Sequence, residues 1–482
     1  MHVRFRSSLR AACVGITLLI VGIGLSPAEA GEERPNIVLM LSDDQSWSGL
    51  SVAMHPDLDY SKSDVVQTPQ IAKLASEGMR FSAAYAPAPV CSPTRIALQT
   101  GRSPAVLHWT KAGPSVGPAA NHKLIGPRNI RAIASDETTI GELLKSAGYR
   151  TAHFGKWHLR GGGPGAHGYD VHDGDLGNEH AAKFEDPNPV DIFGMTERAI
   201  AFMKASKSEG KPFFVQMSWH ALHAPENAMK ATLAKYQGLV RGGRSRQVAR
   251  AAIAEDLDTG VGRLLAALDA LDLTKTTYVI YTSDNGGGGG GRGRSARGRP
   301  RRARGLTGGK GSLSEGGIRV PFIVRGPSVA PNSWCHVPVT GLDLLPTFAA
   351  WAGLRRLPKG VEGGDIATLL LNEGKGAVVR PREELVFHFP HYQDERGPQS
   401  SILLGSLKLL KCYEDGCLRL YDLSKDPSEQ NDLAEEMPEK AAELEARLAT
   451  YLRSVEAQMP SPNPLYDPDR APASRKDPPR RR

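Results

Sequence analysis

The sequence predicts an α/β protein: a large mixed, mostly parallel sheet sandwiched by helices, with a smaller C-terminal α+β domain containing an antiparallel sheet. Three observations predict this. Short apolar runs of strand composition alternate with helical patterns, as in sheets buried on both faces. Polar and ionisable residues follow these runs directly, where an open α/β sheet binds its ligands. Past about residue 375 the alternation gives way to consecutive strand-like runs and one helix.

The elements follow in order. The chain opens MHVRFRSSLR, AACVGITLLIVGIGL, SPAEA, which is a basic segment, an apolar segment and a small-residue cleavage site. That order is a secretory signal over residues 1–30, cut after Ala30, and it implies a protein exported to the periplasm or beyond. Its apolar run of about fifteen residues falls short of the ~20 that span a bilayer, so no stable membrane anchor is expected. Cys13 follows Arg10-Ala11-Ala12, a poor context for a lipid-modified amino terminus.

A large α/β domain is placed at 31–375. Its strands are NIVLMLS (36–42), TAHF (151–154), FFVQMSW (213–219), YVIYTS (278–283) and FIV (322–324). Between them lie the helices TPQIAKLASEG (68–78), TTIGELLKSAG (138–148) and the run from Gln247 to Leu271. The α+β subdomain is placed at 376–460, with ELVFHF, SLKLLKCY and CLRLYDL as antiparallel strands and a helix over 434–457. Glu414-Asp415-Gly416 turns the last two strands. The Pro-rich, basic tail 461–482 is expected to be disordered.

The formal charge of +8 suggests nucleic acid until its placement is read. The signal holds +2, the stretch 286–305 holds seven arginines and no acid, and the tail holds +3, which leaves about −4 on the rest. Basicity is local, and no nucleic-acid partner is expected. The sequence carries no sign of oligomeric state.

The chemistry sits at the strand ends. NIVLMLS runs into Asp43-Asp44, TAHF into Gly155-Lys156-Trp157-His158, FFVQMSW into His220 and His223, and YVIYTS into Asp284-Asn285. One Asp after a strand is usually a turn or helix cap. Four polar sets in the same relative position point to one crevice. Three carboxylates and an amide oxygen are a hard ligand set, suited to Ca²⁺ or Mg²⁺. Lys156, His158, His223 and Lys310 add cationic partners, so an anionic ligand between metal and protein cations is implied, and with it hydrolysis of a charged ester.

These stretches resemble the type I sulfatase family of the alkaline phosphatase superfamily, in particular its arylsulfatase and N-acetylgalactosamine-6-sulfatase-like members. The resemblance rests on PNIVLMLSDDQ, CSPTRIALQTGR, GYRTAHFGKWHL, HALHAP, SDNGG, GGKGSLSEGGIRVPFIVRGP, DLLPTFAAWAG and YDLSKDPSEQNDLA, in the family's order over nearly the whole mature chain. It implies that Cys91 is oxidised to formylglycine by a separate formylglycine-generating enzyme. The hydrated aldehyde attacks sulfur through one hydroxyl and releases sulfate when the second collapses, a route closed to serine.

The resemblance also implies roles. Asp43, Asp44, Asp284 and Asn285 match the metal ligands, with residue 91 completing the shell around Ca²⁺, Mg²⁺ being the second candidate. Arg95 matches the residue holding the formylglycine hydrate, and Lys156 and His158 match groups beside its oxygens. Lys310 matches the lysine on the sulfate, and His223 the histidine that contacts sulfate and protonates the leaving oxygen. His220 is a weaker candidate for the same pocket. Arg160 stands where the family often has glycine, and the Gly/Arg-rich insertion 286–305 separates Asn285 from the Lys310 motif.

The expected activity is a sulfuric ester hydrolase acting on a sulfated carbohydrate or a small sulfate ester. The alternatives are a phosphodiesterase or phosphonate monoester hydrolase of the same superfamily, and a non-catalytic binder of sulfated glycans. Cys412 and Cys417, facing across a turn in an oxidising compartment, are expected to form a disulfide, with Cys335 alone. The insertion reads either as a solvated loop or as a basic arm that gathers polysulfated chains toward the site.

Overall fold

Asn36–Ser42, buried at every position, forms a central strand of an eight-stranded sheet. The computed structural model describes residues 1–2, 34–114, 119–176, 184–240, 245–288, 305–394 and 396–470. The expected signal therefore lies almost wholly outside the described residues, as does most of the insertion. Pro35–Arg482 forms one compact unit.

Across the sheet the strands run Ser333–Cys335, Met79–Phe81, Phe322–Arg325, Thr277–Ser283, Asn36–Ser42, Phe213–Ser218, Arg150–Gly155 and Val171–His172. Among them only Phe322–Arg325 runs against the rest. All five expected strands form within a residue or so of their predicted ends. The added ones are two or three residues long, too short to show a period in sequence.

Alternate side chains of Asn36–Ser42 enter different cores. Val38 and Met40 pack under helices Pro69–Ser76, Ile192–Ser208 and Ser245–Ala270. Ile37, Leu39 and Leu41 pack under Cys91–Thr100, Ile140–Ser146 and Leu344–Trp351. A strand covered on both faces has no polar face, which explains its unbroken apolar run. Helix Ile140–Ser146 starts with a Thr139/Glu142 capping box, which the sequence TTIGE already spells.

The C-terminal region is a four-stranded antiparallel meander, Leu385–Phe389, Gln399–Leu404, Leu407–Cys412 and Leu418–Asp422, backed by helix Pro438–Ser454. Gln399–Leu404 was not anticipated, because QSSILL has no alternation. Ile402, Leu409 and Leu420 face the helix, while Phe387, Leu403, Leu410 and Tyr421 pack on Tyr85, Val90 and Leu313. Buried Lys408 bridges Glu315 at 2.7 Å and Glu429 at 2.9 Å, and Arg319 meets Glu315 at 2.9 Å. This network ties the meander to the segment that carries Lys310.

Two expectations are corrected. The tail is not disordered from 461: Ser461–Pro462 pairs with Leu124–Ile125, and Asn463 Nδ2 donates to the carbonyls of Ala119 (2.9 Å) and His122 (2.7 Å). Backbone and amide bonds offset the chain entropy there, and residues 471–482 lie outside the described residues. Cys412 and Cys417 are free thiols, as is Cys335. The Cys412 N–H donates to the Cys417 carbonyl at 3.0 Å, so the backbone closes this turn without a sulfur–sulfur bond. Among the described residues no helix is long and apolar enough to cross a membrane.

Candidate active site

The strands ending at Gly155, Ser218, Ser42 and Ser283 are consecutive in the sheet, and their hydrogen bonding continues past those ends. Lys156 N–H donates to the Ser218 carbonyl (2.8 Å), Trp219 to Leu41 (3.0 Å), Asp43 to Ala221 (3.1 Å) and Asp284 to Ser42 (3.1 Å). The polar segments are therefore laced side by side, which is why residues so distant in sequence converge.

Asp43 and Asp284 are fully buried, and Asp44 nearly so. Asp44 takes a left-handed backbone (φ 60), which turns its N–H onto Asp284 Oδ1 at 3.2 Å. Asn285 Nδ2 donates to Asp44 Oδ1 and to the Gly286 carbonyl, both at 2.8 Å. Gly286 is obligatory: a Cβ there would sit 2.0 Å from the Gly316 carbonyl oxygen.

Helix Cys91–Thr100 enters from the other side, buried throughout. Each residue of its first turn has a task. Ser92 Oγ donates to the His158 carbonyl at 3.0 Å. Pro93 lacks the N–H that a first turn leaves unpaired in any case. Thr94 Oγ1 bonds both the carbonyl and the N–H of Ala88, at 2.9 and 3.2 Å, pinning the loop before the cysteine. Arg95 reaches Asp284 Oδ2 and, at 2.6 Å, the Lys156 carbonyl. Cys91 Sγ lies 3.5 Å from Asp43 Oδ1 and 3.4 Å from Lys310 Nζ.

The charges interlock. Lys156 Nζ pairs with Asp43, and Lys310 Nζ with Asp44 Oδ1 at 2.7 Å. Burial alone would raise the Asp43 carboxyl, but Lys156, Arg95, Lys310 and His223 outweigh it and hold it well below the usual range. Burial, then the charge of Asp43, pushes Asp284 up, a repulsion that a cation between them would relieve. Burial, then Asp284 and Asp43, pushes the Cys91 thiol up, so the free cysteine is a poor nucleophile here.

His158, with φ 58, is pushed down to about 3 by burial and then by Lys156 and Arg95. His220 is pushed down to about 4 by burial and then by Lys156. Its ring centroid lies 5.1 Å from that of His223. A nitrogen of His223 lies within 4.8 Å of both Cys91 Sγ and an Asp43 oxygen. All eleven residues singled out in the sequence thus fall in or beside one pocket, while Arg160 (φ 56) sits on the turn after it.

Sequence reasoning missed Arg250, on helix Ser245–Ala270, whose guanidinium donates to the carbonyls of Asp44 and, at 3.1 Å, Gly288. One arginine within a helical pattern gave no signal of this.

The donor set fits a hard divalent ion. One oxygen each from Asp43, Asp44 and Asp284 and Cys91 Sγ lie within 4.8 Å of one another, and Asn285 Oδ1 is buried without a hydrogen-bond partner among the described residues. Three carboxylates against Arg95, Lys156 and Lys310 are near neutral, so an added divalent ion makes the pocket receptive to an anion.

Hard oxygen donors and paired cations at the strand ends of an α/β sandwich suit the hydrolysis of a charged ester. The sulfatase family model matches residues 35–354, and one described as N-sulphoglucosamine sulphohydrolase, C-terminal, matches residues 309–458. Human arylsulfatase A is 29% identical, with 86% of each chain covered. Mouse N-acetylgalactosamine-6-sulfatase is 30% identical over 72% of this chain and 68% of its own. The solved structure of Ps i-CgsB superposes with a TM-score of 0.69 at 24% identity, covering 87% of this chain and 93% of that one. A structure in complex with its substrate D-glucosamine-2-N,6-O-disulfate gives 0.66 at 21% identity, covering 88% and 98%. The chain belongs to the sulfatase family, and it is a sulfuric ester hydrolase.

Proposed function

We propose that this sulfatase removes sulfate from a sulfated carbohydrate, with Cys91 as the precursor of formylglycine and with Ca²⁺ held by Asp43, Asp44, Asp284, Asn285 and residue 91. The carrying observation is the convergence of three carboxylates on Cys91 beside Asn285 Oδ1, which has no hydrogen-bond partner among the described residues. A hydrated formylglycine at residue 91 would supply a hydroxyl nucleophile with a second hydroxyl to release sulfate, and Ca²⁺ held by Asp43, Asp44, Asp284 and Asn285 would supply Lewis-acid polarisation.

The remaining work falls to the chain's own residues. Lys156 and Lys310 flank residue 91 and neutralise the sulfate. Arg95 holds Asp284 and the Lys156 carbonyl in register. His223 Nδ1 donates to the Ala224 carbonyl at 2.7 Å, which fixes the ring and turns Nε2 to the leaving oxygen as its proton-transfer partner. His158, kept neutral, acts as a hydrogen-bond partner beside residue 91, and His220 orders the wall behind His223.

Glycan substrates are favoured by the company the chain keeps: N-acetylgalactosamine-6-sulfatase among its relatives, and folds seen with k-i-k-neocarrahexaose and glucosamine disulfate. The amino-terminal signal supports export, and the CSPTR motif supports a formylglycine-generating enzyme as maturation partner. The test is the mass of the Cys91 peptide from the native host, with turnover of an aryl sulfate and an aryl phosphodiester in parallel. Formylglycine and sulfate release are expected. A thiol throughout in active protein would overturn the nucleophile, and faster phosphodiester cleavage would overturn the substrate class.

A further inference from the structure

Arg250 joins three segments of the site, two through backbone carbonyls and the third, shared with Arg246, through Glu226. One guanidinium nitrogen donates to the Asp44 carbonyl, at the left-handed turn (φ 60) that presents the second carboxylate. A second donates to the Gly288 carbonyl at 3.1 Å. The residue before it, Gly287, accepts the Lys310 N–H at 3.1 Å, so the Gly287–Gly288 junction fixes both the Asp284-Asn285 segment and the root of Lys310. The junction has little room: a Cβ on Gly287 would come within 2.9 Å of Ser46 Cβ.

The third segment is the His223 loop. Glu226, three residues on and 8% exposed, lies 3.7 Å from Arg250 Nη1 and 3.0 Å from Arg246 Nε. It compensates the partly buried guanidinium, whose side chain is 21% exposed. A non-glycine residue in the left-handed region persists where its surroundings hold it. At Asp44 the Arg250 bond to its carbonyl is such a hold.

We propose that Arg250 is a positioning residue that sets how tightly the pocket holds its divalent ion, by fixing the Asp44 turn and the Gly287–Gly288 junction together. The inference rests on the cation reading above, and it gives the planar fork a task that lysine, with one point charge, performs poorly.

The test uses the full chain titrated with Ca²⁺ after chelation, read by thermal unfolding and by aryl sulfate turnover, for wild type, Arg250→Lys and Arg250→Met. In chelator all three are expected to unfold at nearly the same temperature. The Ca²⁺ concentration for half-maximal stabilisation is expected to rise on the order of 10–100-fold in Arg250→Met and by less in Arg250→Lys, the range for loss of a residue that orients metal ligands. Half-saturation within twofold of wild type in Arg250→Met would overturn the proposal. So would an equal fall in unfolding temperature with and without Ca²⁺, since that marks a merely structural role. A wild type that ignores Ca²⁺ in both readouts would overturn the cation reading itself, and this inference with it.

Discussion

Arg95 sets Nε at 3.0 Å and Nη2 at 2.7 Å from a single oxygen of Asp284, Oδ2, leaving Oδ1 to the Asp44 N–H at 3.2 Å. The carboxylate is thereby locked in rotation. Lysine retains the charge but cannot grip one oxygen with two donors while a third holds the Lys156 carbonyl. Arg95→Lys is expected to lower kcat on the order of 10–100-fold, with KM for an aryl sulfate changed far less. Steady-state kinetics beside an unfolding curve check this.

Cys91→Ser keeps a small polar side chain in a fully packed helix turn, so the unfolding midpoint is expected to stay within a few degrees of wild type. Steady-state sulfate release is expected to vanish, because serine cannot become a diol. Turnover near the wild-type rate would contradict the proposed nucleophile.

Lys408 is 1% exposed between Glu315 and Glu429. Lys408→Met strands two buried acids, and the cost is expected to be about 3–5 kcal/mol, the range for breaking a buried pair from one side. Adding Glu429→Gln to that variant is expected to recover part of the loss. Urea unfolding of the single and double variants measures both effects.

Burial pushes His153 down to about 3 and His388 down to about 4, from an ordinary 6.5. Each binds its proton more readily when unfolded, so stability is full above pH 6.5 and declines as pH falls from there toward the folded values. His388→Gln is expected to flatten that decline by up to one proton's worth of slope. Unfolding free energy at a series of pH values from 7 to 4 reads it directly.

Cys417 is part-exposed, whereas Cys335 and Cys412 are buried. A maleimide applied to folded protein is expected to label Cys417 alone of these three, the other two reacting only after unfolding. A Cys412–Cys417 peptide two hydrogens lighter than the dithiol would instead reveal the bond that the sequence suggested.

Much of this architecture was legible because it depends on local pattern. A strand buried on both faces, such as Asn36–Ser42, has only one composition open to it, and its end marks where Asp43 emerges. Gln399–Leu404 escaped because its polar residues are buried along with its apolar ones, which erases the alternation: Ser400 Oγ, for one, sits 2.6 Å from His388 Nδ1. Most site residues were recognisable because they follow a strand end, whereas Cys91, Arg95 and Lys310 were recognised by their motifs. Arg250 acts through backbone carbonyls brought near by the sheet, and no spacing within its own helix encodes them. The ordered start of the tail was hidden for the same reason, since Ser461–Pro462 finds its partner at Leu124–Ile125.

Cys91 is 2% exposed, and its helix has no exposed residue. Asp284 and Asp43, which close over it, stand on strands whose paired ends, Ser42 and Ser283, are 241 positions apart in the chain. On the nucleophile proposed above, an enzyme converting residue 91 would work to a timetable: once those strands meet, the sulfur is sealed from any macromolecular visitor. Its window would run from synthesis of the CSPTR segment to completion of the sheet, and a polypeptide that folded unvisited would keep its thiol.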